Sequence, residues 1–363
     1  MKGSPRTVRV HLAERSYDIL ITAGSLDRAG PFVAQRAEAT RAVVITDANV
    51  EHPHAVTVCR SLAEASLKAD MVVVEPGERS KSIGTAASLW EKLLDLGCDR
   101  TALVVAVGGG VVGDLAGFVA ATYARGVRFF QIPTSLLAQV DSAVGGKVGI
   151  NLPAAKNMVG AFLQPLGVLI DTATLDTLPQ REYRAGLGEV VKYGVILDAE
   201  FFGYLESHIE GLISRDRQVL AHVVARCCQL KAGVVEQDER EETALRAVLN
   251  YGHTVAHALE TLTGYEVLLH GEAVAIGMIC ESRLAELVGR VDRSLTLRQQ
   301  RLLAALGLPT RLPNVDLEAI LGAMAHDKKV RYGRLRFVLP ARLGHVELVE
   351  GVEADLVRRA LGG

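Results

Sequence analysis

The sequence predicts an α/β amino-terminal half, built on a parallel sheet, and a mostly α-helical carboxyl-terminal half. Three short apolar runs, at residues 42–45, 71–74 and 102–107, have the length and composition of buried parallel strands. Residues 83–96 lie between two of these runs, have helical periodicity and stop at Gly97. Strands that alternate with helices in this way predict a parallel sheet whose carboxyl edge binds ligands.

A change of pattern after Leu178-Pro179 predicts two domains, residues 1–179 and 180–363. Before it, alternating residues predict a strand pair near the amino terminus, and one more strand follows a helix that ends near Tyr123. After it, long amphipathic patterns predict helices, and a small hairpin with a closing helix ends the chain. The predicted strands not yet named are 7–12, 17–21, 129–132, 334–339 and 345–348, and the predicted helices of the second half are 184–197, 199–214, 218–238, 243–263, 272–287, 294–306 and a last one to residue 361.

The composition argues against several classes of function. The chain carries 40 basic and 42 acidic residues, so its overall field does not favour nucleic acid or a membrane surface. An anionic ligand would therefore need a local cluster of cations. Five cysteines without Cys-x-x-Cys spacing predict reduced thiols. Because no hydrophobic segment follows the first residues and no apolar stretch is long enough to span a bilayer, we expect a cytoplasmic protein.

Histidines are concentrated in one segment of the second half. His253 and His257 stand four residues apart on a predicted helix, so both imidazoles lie on one face, and His270 opens the next apolar helical run. Each could be a helix-capping or core histidine, but three in so short a segment favour a divalent-metal site. Thr254 follows His253, so the His-Glu-x-x-His motif of metalloproteases is absent.

A third ligand, with an oxygen atom, is predicted in the motif Gly-Glu-Val-Val-Lys. Glu189 and Lys192 are three residues apart and share one side of a helix. They could form an exposed ion pair, but their apolar neighbours favour a buried pair. Glu189, His253 and His270 would then form a set of two imidazoles and one carboxylate that leaves positions open for a substrate.

A glycine-rich turn follows the apolar run at residues 102–107. The motif Gly108-x-Gly110-x-x-Gly113 lies between a strand and a helix, where backbone N–H groups and a helix N-terminus can face a pyrophosphate. It does not open the first strand–helix unit and no acid follows at the usual distance, so a tight turn without a ligand stays an alternative. Asp47 and Glu78, near the ends of earlier strands, could bind ribose hydroxyls or cap helices. The pattern favours a Rossmann-like nucleotide-binding domain.

Glycines, lysines and an asparagine further along predict a pocket for an anionic, phosphorylated ligand. Gly145 and Gly146 let the backbone approach a ligand, while Lys147, Lys156 and Asn157 supply donors with no acidic residue close in sequence. Solvated surface lysines are the alternative interpretation. The neighbours here are apolar residues and glycines rather than a mixed charged surface, which favours the pocket.

Seven motifs follow one another along the chain: Gly-Glu-x-x-Lys, Gly-Gly-Gly-Val-Val-Gly-Asp, Pro-Thr-Ser-Leu-Leu-Ala-Gln-Val-Asp-Ser-Ala-Val-Gly-Gly-Lys, Ala-Lys-Asn, Gly-Glu-Val-Val-Lys, Leu-Asn-Tyr-Gly-His-Thr and His-Gly-Glu-Ala-Val. They occur in the order typical of the 3-dehydroquinate synthases, a family of sugar-phosphate cyclases. The chain resembles that family from about Asp47 to Lys329.

The resemblance implies a reaction of the shikimate pathway. The substrate would be the seven-carbon sugar-acid phosphate DAHP, and the products 3-dehydroquinate and phosphate. Bound NAD would oxidise the C5 hydroxyl, phosphate would be eliminated, NADH would return the hydride, and the opened ring would close again as a carbocycle. A divalent metal, Zn²⁺ or Co²⁺, is also implied, and so is a homodimer in which Arg125 reaches the site of the other subunit.

The resemblance also implies roles for individual residues. The metal ligands would be Glu189, His253 and His270. Groups that contact the substrate would include Asp141, Lys192 and Lys231 at its hydroxyls or carboxylate, and Arg246 at the carboxylate. The phosphate pocket would be formed by Lys147, Asn157, Asn250, His257 and either Lys328 or Lys329. The positions for NAD would be Asp47, Asn49, Glu78, Lys81, Gly109, Gly110, Val111, Asp114, Thr134, Ser135, Lys156, Thr174 and Thr177.

Departures from the family pattern are small. Ala256 stands where a glycine is common, and the chain has one extra residue between Lys231 and Arg246. Lys231, Arg246 and Asn250 favour a carboxylate-bearing substrate. An amino-dehydroquinate synthase or another sugar-phosphate cyclase remains an alternative. A metal- and NAD-dependent polyol dehydrogenase is disfavoured because it needs no phosphate pocket, and a non-catalytic nucleotide-binding module because it needs no metal ligands.

Overall fold

The structure, a computed structural model, describes residues 5–39, 41–153, 155–264, 267–325 and 336–362. The chain divides into two compact units. The α/β unit comprises Met1–Leu178 and Leu220–Arg240, and the helical unit comprises Pro179–Val219 and Glu241–Gly363.

The α/β unit contains the strands predicted from apolar runs. Those at 42–45, 71–74, 102–107 and 129–132 are confirmed with small extensions, whereas a hairpin and the last strand of the unit were not predicted. Up to residue 178 its elements are β1 (Arg6–Val10), β2 (Tyr17–Thr22), α1 (Ala29–Ala34), β3 (Arg41–Asp47), α2 (Val56–Glu64), β4 (Lys68–Val74), α3 (Ile83–Asp95), β5 (Leu103–Gly108), α4 (Gly110–Thr122), β6 (Arg128–Pro133), β7 (Lys147–Leu152), β8 (Ala155–Phe162) and β9 (Gly167–Asp171).

Seven of these strands form one sheet, in the order β1-β2-β9-β6-β5-β3-β4. Only the β1–β2 pair is antiparallel; the other neighbours within this sheet run parallel. One apolar layer, with α3 and α4, includes Val104 and Leu115, and a second, with α1 and α2, includes Val105 and Leu62. Because both faces of the sheet are buried, the central strands have continuous apolar sequences. Strands β7 and β8 pair separately as a hairpin.

The helical unit is made mainly of the long helices that the amphipathic patterns predict. One helix, α8 (Arg217–Gln237), starts with residues of the helical unit, and its residues from Leu220 on belong to the α/β unit. There the Cys228 thiol donates to the Gln139 carbonyl at 3.3 Å, within the buried interior. The remaining elements are α5 (Gln180–Leu197), α6 (Ala199–Ser207), α7 (Ile209–Ile213), α8 (Arg217–Gln237), α9 (His253–Leu262), α10 (His270–Leu287), α11 (Arg293–Ala305), α12 (Leu317–Ala325), β10 (Arg336–Arg342), β11 (His345–Glu350) and α13 (Ala354–Gly362).

The single helix predicted over residues 243–263 is wrong. The chain forms a 3₁₀ turn at Ala244–Asn250 and α9 begins only at His253. Between them Gly252 has φ +81°, a left-handed conformation that breaks the helix. The buried Tyr251 hydroxyl, which lies 2.8 Å from both the Met278 carbonyl and the Gln299 side-chain oxygen, holds the break in place. As a result His253 lies at the first position of a helix.

The helix predicted over residues 199–214 is likewise divided, into α6 and α7. Among the described residues, none of the helices has the length and hydropathy that a membrane span requires.

Candidate metal, cofactor and phosphate sites

Three side chains of the helical unit converge on one point. Glu189 lies in the middle of α5, whereas His253 and His270 are the first residues of α9 and α10. One ligand atom from each lies within 4.8 Å of the others. The Nε2 atoms of both histidines are 3.6 Å from Glu189 Oε1. These are the three residues that the sequence predicts as metal ligands, and the structure brings them together.

The other ring nitrogen of each histidine is held by an acceptor. Nδ1 of His253 lies 3.1 Å from the Tyr251 carbonyl, and Nδ1 of His270 lies 3.2 Å from the Glu260 carboxylate. An acceptor at Nδ1 keeps a proton on that nitrogen, so the neutral imidazole has its lone pair on Nε2, the atom nearer to Glu189. Both imidazoles are therefore oriented as ligands.

The electrostatics of this group favour a positive charge. Burial by itself lowers the pKa of His270, but hydrogen bonds with Glu189 and Glu260 outweigh it and raise the pKa to about 10. A fully buried carboxylate with two oriented imidazoles is also a donor set that suits Zn²⁺ or Co²⁺, because borderline metals accept nitrogen and oxygen ligands together. The residues present therefore fit a divalent metal ion.

Close backbone contacts between glycines set the spacing of the three helices. A Cβ on Gly271 would lie 1.8 Å from the Ala185 carbonyl oxygen, and one on Gly188 would lie 2.5 Å from the Gly271 carbonyl oxygen. Gly188 directly precedes Glu189 and Gly271 directly follows His270, so α5 and α10 touch next to their ligands. A Cβ on Gly277 would similarly lie 1.9 Å from the Gly252 carbonyl oxygen, beside His253. Only glycine permits these approaches.

Four predicted substrate and phosphate residues of the helical unit are close in sequence to Glu189 or His253. Lys192 is 2% exposed and its ammonium contacts the Glu189 carboxylate. The pair predicted from the Gly-Glu-Val-Val-Lys motif is thus buried. The His257 ring lies 5.6 Å from the His253 ring, centroid to centroid. Arg246, 3% exposed, and Asn250 belong to the 3₁₀ turn that leads into α9.

In the α/β unit, the predicted cofactor residues gather at the carboxyl ends of neighbouring parallel strands. Asp47 ends β3, Gly109 follows β5, and Thr134 follows β6. Because these strands are adjacent and parallel, their carboxyl ends share one edge of the sheet. Burial raises the pKa of Asp47, against two backbone hydrogen bonds that lower it. The other predicted cofactor positions nearby are Asn49 after β3, Gly110 and Val111 in the first turn of α4, Ser135 after β6, and Thr174 and Thr177 after β9.

Gln139 links two of these strand ends, a role that the sequence did not reveal. It is fully buried, and its side-chain nitrogen donates to the Pro133 and Asp171 carbonyls, both at 3.2 Å, and to the Thr174 hydroxyl at 3.1 Å. Gln139 therefore connects the end of β6 to the turn after β9.

A lysine–carboxylate network lies in the same unit. Lys81 is 4% exposed, and its ammonium lies 2.7 Å from Asp114 and 2.5 Å from the Asn157 side-chain oxygen. Burial raises the pKa of Asp114, and the positive charge of Lys81 opposes this rise. Lys156 lies 3.8 Å from Glu78. Asp114 for Lys81 and Glu78 for Lys156 come from distant parts of the chain, whereas Glu78, which also lies 3.9 Å from Lys81, is close to that lysine in sequence.

Asn151, another residue without a predicted role, joins this network to the β7–β8 hairpin. Its side-chain amide donates to Glu78 at 2.7 Å and accepts from the Asn157 backbone N–H at 2.9 Å. Asn157 has φ +55°, a left-handed conformation that these hydrogen bonds help to hold. A hairpin that the sequence did not predict thus connects predicted cofactor and phosphate residues.

The remaining predicted residues are distributed as follows. Lys231 on α8 donates from its ammonium to the Asp141 carbonyl at 2.7 Å and to the Asp141 carboxylate at 2.8 Å, so these two predicted substrate residues meet. Lys147 begins β7 and is exposed, as is Arg125 after α4. Lys328 and Lys329 lie outside the described residues.

Solved structures share this fold over nearly the whole chain. A 2-deoxy-scyllo-inosose synthase complexed with carbaglucose-6-phosphate, NAD⁺ and Co²⁺ is 26% identical, with a TM-score of 0.90, covering 99% of this chain and 100% of that one. A 2-epi-5-epi-valiolone synthase from Streptomyces hygroscopicus, with NAD⁺ and Zn²⁺ bound, is 30% identical, with a TM-score of 0.88 and 97% of both chains covered. Fold and site therefore define the class of sugar-phosphate cyclases.

Sequence comparisons identify the family within that class. The 3-dehydroquinate synthase N-terminal and C-terminal family models match residues 71–185 and 186–330. A 3-dehydroquinate synthase from Desulforamulus reducens is 50% identical over 97% of this chain and 98% of its own length. A 3-dehydroquinate synthase from Rhodopirellula baltica is 48% identical over 98% of this chain and 96% of its own length. The chain belongs to the 3-dehydroquinate synthase family, which confirms the resemblance predicted from its motifs.

A glycerol dehydrogenase from Schizosaccharomyces pombe is 19% identical with a TM-score of 0.66, covering 94% of this chain and 86% of that one. Its likeness concerns the fold alone.

Proposed function

We propose that the chain converts DAHP into 3-dehydroquinate and inorganic phosphate, with NAD and one divalent metal ion as cofactors. The observation that carries the proposal is the convergence of Glu189, His253 and His270 in a chain of this family. We assign cofactor binding to residues 1–179 and metal and substrate binding to residues 180–363. Residues 220–240, which pack with the α/β unit, contribute Lys231.

The metal ion would be held by Glu189, His253 and His270, and when bound it would polarise substrate hydroxyls and stabilise negative charge on their oxygens. Lys192, buried against Glu189, keeps that carboxylate oriented and adds a positive charge beside it. Arg246 binds the substrate carboxylate, since a guanidinium matches a carboxylate with two parallel hydrogen bonds.

NAD would be held by the α/β unit, and when bound it would take a hydride from the substrate and return it later in the same turnover. Asp47 and Glu78 would accept hydrogen bonds from ribose hydroxyls, and the backbone N–H groups of Gly109 and Gly110, at the N-terminus of α4, would bind the pyrophosphate. Asn49, Lys81, Val111, Asp114, Thr134, Ser135, Lys156, Thr174 and Thr177 complete the proposed cofactor site.

Elimination of phosphate requires cations and donors around the leaving group. As the C6 proton leaves, the carbon–oxygen bond to phosphate breaks, and the released dianion must be stabilised. Lys147, Asn157, Asn250 and His257, together with Lys328 or Lys329, supply these donors. A phosphate oxygen accepts the C6 proton. The Lys231–Asp141 pair presents a donor and an acceptor that orient the substrate hydroxyls.

We further propose a cytoplasmic homodimer in which Arg125 serves the site of the other subunit. Arg125 is exposed, and both it and Ala124 have positive φ, +69° and +49°, so a tight corner projects its side chain outward. Two inactive variants, Arg125→Ala and His270→Ala, should regain activity when their subunits are mixed and exchanged. A monomeric mass in light scattering, or no recovery from a mixture shown to contain exchanged dimers, would contradict this part of the proposal.

The catalytic proposal is tested by incubating the protein with NAD, Zn²⁺ and DAHP while phosphate and the absorbance of NADH are followed. We expect one phosphate and one 3-dehydroquinate per DAHP consumed and no net NADH. Accumulating NADH would instead indicate a dehydrogenase. Lack of DAHP turnover by metal-loaded protein would favour an amino-dehydroquinate synthase or another sugar-phosphate cyclase, each tested with its own substrate.

The ligand assignment is tested separately. His270→Ala should fold but lose zinc, measured by chelator competition, and should lose activity. His345→Ala is the matched control, because His345 is 48% exposed on β11 of the same unit and pairs only with a surface glutamate among the contacts observed. Zinc affinity and activity that survive in His270→Ala would remove His270 from the metal site.

A further inference from the structure

A second buried carboxylate lies behind the metal ligands. Glu260, near the end of α9, has a side chain that is 6% exposed, and its Oε1 lies 3.2 Å from Nδ1 of His270. The α9 residues around it, including Val255 and Leu259, are buried and apolar. A carboxylate in such surroundings costs free energy unless it interacts with a donor or a charge.

The position of Glu260 follows from helix geometry. It is seven residues after His253, which is two turns of α9, so the two side chains lie on the same face. His270 begins α10, which packs along α9. Helix α9 thus carries one ligand directly and, two turns later, the group that contacts the second ligand.

The two histidines differ in the acceptor at Nδ1. His253 faces a neutral carbonyl, that of Tyr251, whereas His270 faces a carboxylate. A carboxylate that accepts the Nδ1–H fixes the tautomer and increases the electron density at Nε2, the atom that faces Glu189. His270 should therefore be the stronger donor of the two imidazoles. It is also the more exposed of the two, with 33% of its side chain accessible against 12% for His253. It has less packing to hold its ring, so the hydrogen bond matters more for its orientation.

We propose that Glu260 is a positioning residue that sets the metal affinity of the Glu189–His253–His270 group through His270. The inference rests on the proposed metal site. It assigns to this buried acid a role that neither the motif pattern nor the spacing of the ligands indicates.

The test uses two substitutions and the purified full chain with zinc alone. Glu260→Gln keeps the shape of the side chain and an acceptor oxygen but removes the charge; Glu260→Ala removes the acceptor as well. We expect zinc affinity, measured by competition with a chromophoric chelator, to fall about 10–100-fold in Glu260→Gln and at least as far in Glu260→Ala. The visible absorption bands of the Co²⁺-loaded protein should shift in both variants, because the donor strength and orientation of a ligand change.

Glu286→Gln is the matched control. Glu286 is a partly buried glutamate on α10, 16 residues after His270 and so about 24 Å along the helix. The zinc affinity and the Co²⁺ spectrum of the Glu286→Gln variant should equal those of the unchanged protein. Circular dichroism and thermal unfolding of the metal-free variants establish that each is folded.

Zinc affinity within twofold of the unchanged protein in both Glu260 variants, with an unshifted Co²⁺ spectrum, would overturn the inference. The outcome for His270→Ala separates the two proposals. If that variant loses zinc while the Glu260 variants retain it, only the role of Glu260 fails. If His270→Ala retains full zinc affinity, the proposed metal site itself fails.

Discussion

The two units hold their candidate sites in different ways. In the α/β unit, the predicted cofactor and phosphate residues lie on turns after strands and on a hairpin, and ion pairs such as Lys81–Asp114 connect them. In the helical unit, the three candidate ligands lie on helices whose spacing is set by glycines in backbone contact, such as Gly188 and Gly271. Long side chains can adapt to a ligand after it arrives, whereas backbone contacts fix the geometry beforehand.

The proposed ligands explain this difference. A metal ion accepts donor atoms only within a few tenths of an ångström of their ideal distance, so its ligands must be placed by rigid elements. A dinucleotide or a phosphate is bound by many donors, each of which tolerates small shifts. We therefore expect backbone changes to damage the helical site most, and loss of a charge to damage the α/β site most.

The largest effect is expected from Gly271→Ala. The added methyl group would lie 1.8 Å from the Ala185 carbonyl oxygen, so α5 and α10 must move apart. The free energy of unfolding should fall by about 3 kcal/mol or more, because neither backbone can relax easily. Zinc binding should be lost although every ligand remains, while NAD affinity at a temperature where the variant is folded should be retained.

Gly203→Ala is the matched control for this change. Gly203 lies within α6 and nothing surrounds the position of its missing Cβ within 4 Å. The variant should be more stable by about 0.5–1 kcal/mol, since alanine favours a helix, with zinc affinity unchanged. If denaturant unfolding gave both variants the same stability, backbone contact would not explain the spacing of the ligands.

The second-largest effect is expected from Lys81→Met, which removes a buried charge and leaves the backbone unchanged. Asp114 and the Asn157 side chain lose their shared ammonium partner, and the pKa of Asp114 should rise further. NAD affinity measured by calorimetry should fall at least tenfold, about 1.4 kcal/mol. Zinc affinity should be unaffected. The control Lys92→Met replaces an exposed lysine on α3 and should change neither the NAD affinity nor the zinc affinity. Equal NAD affinity in the two lysine variants would remove Lys81 from the cofactor site.

The smallest effect is expected from Glu272→Gln, which weakens the start of α10. Glu272 accepts from the Leu269 backbone N–H at 2.9 Å and pairs with Arg181 at 2.7 Å. Burial raises the pKa of Glu272, but these partners outweigh it and hold the pKa below its ordinary value of 4.5. The stabilisation is therefore full above pH 4.5 and is lost as the pH falls through the lower pKa of the folded state.

At pH 7 the free energy of unfolding of Glu272→Gln should be lower by about 1 kcal/mol. The difference from the unchanged protein should shrink as the pH falls below 4.5. Urea titrations at pH 7 and at a series of pH values below 4.5 measure it. A difference that stays constant with pH would show that the charge of Glu272 does not contribute.

Sequence patterns predicted the sheet well and the connections poorly. Runs such as residues 102–107 are recognisable because burial on both faces requires continuous apolar residues. The β7–β8 hairpin was missed because its residues alternate weakly, with Met158 and Phe162 exposed. The helix break at Gly252 was missed because a single glycine inside an amphipathic pattern is compatible with a helix. Tertiary contacts hold the left-handed turn: the Tyr251 hydroxyl contacts Met278 and Gln299, and the Gly252 backbone N–H donates to the Glu281 carboxylate at 2.7 Å.

The sequence by itself determined the family and predicted Glu189, His253 and His270 as metal ligands, because motif order and residue chemistry are local properties of the chain. Only the tertiary structure decided which groups face one another across distant segments. Glu260 reaches His270, and Asn151 reaches Glu78, through helix packing and strand pairing that no local spacing encodes. The physical reason is that a hydrogen bond needs two atoms within about 3 Å of each other, a condition that depends on how whole elements pack.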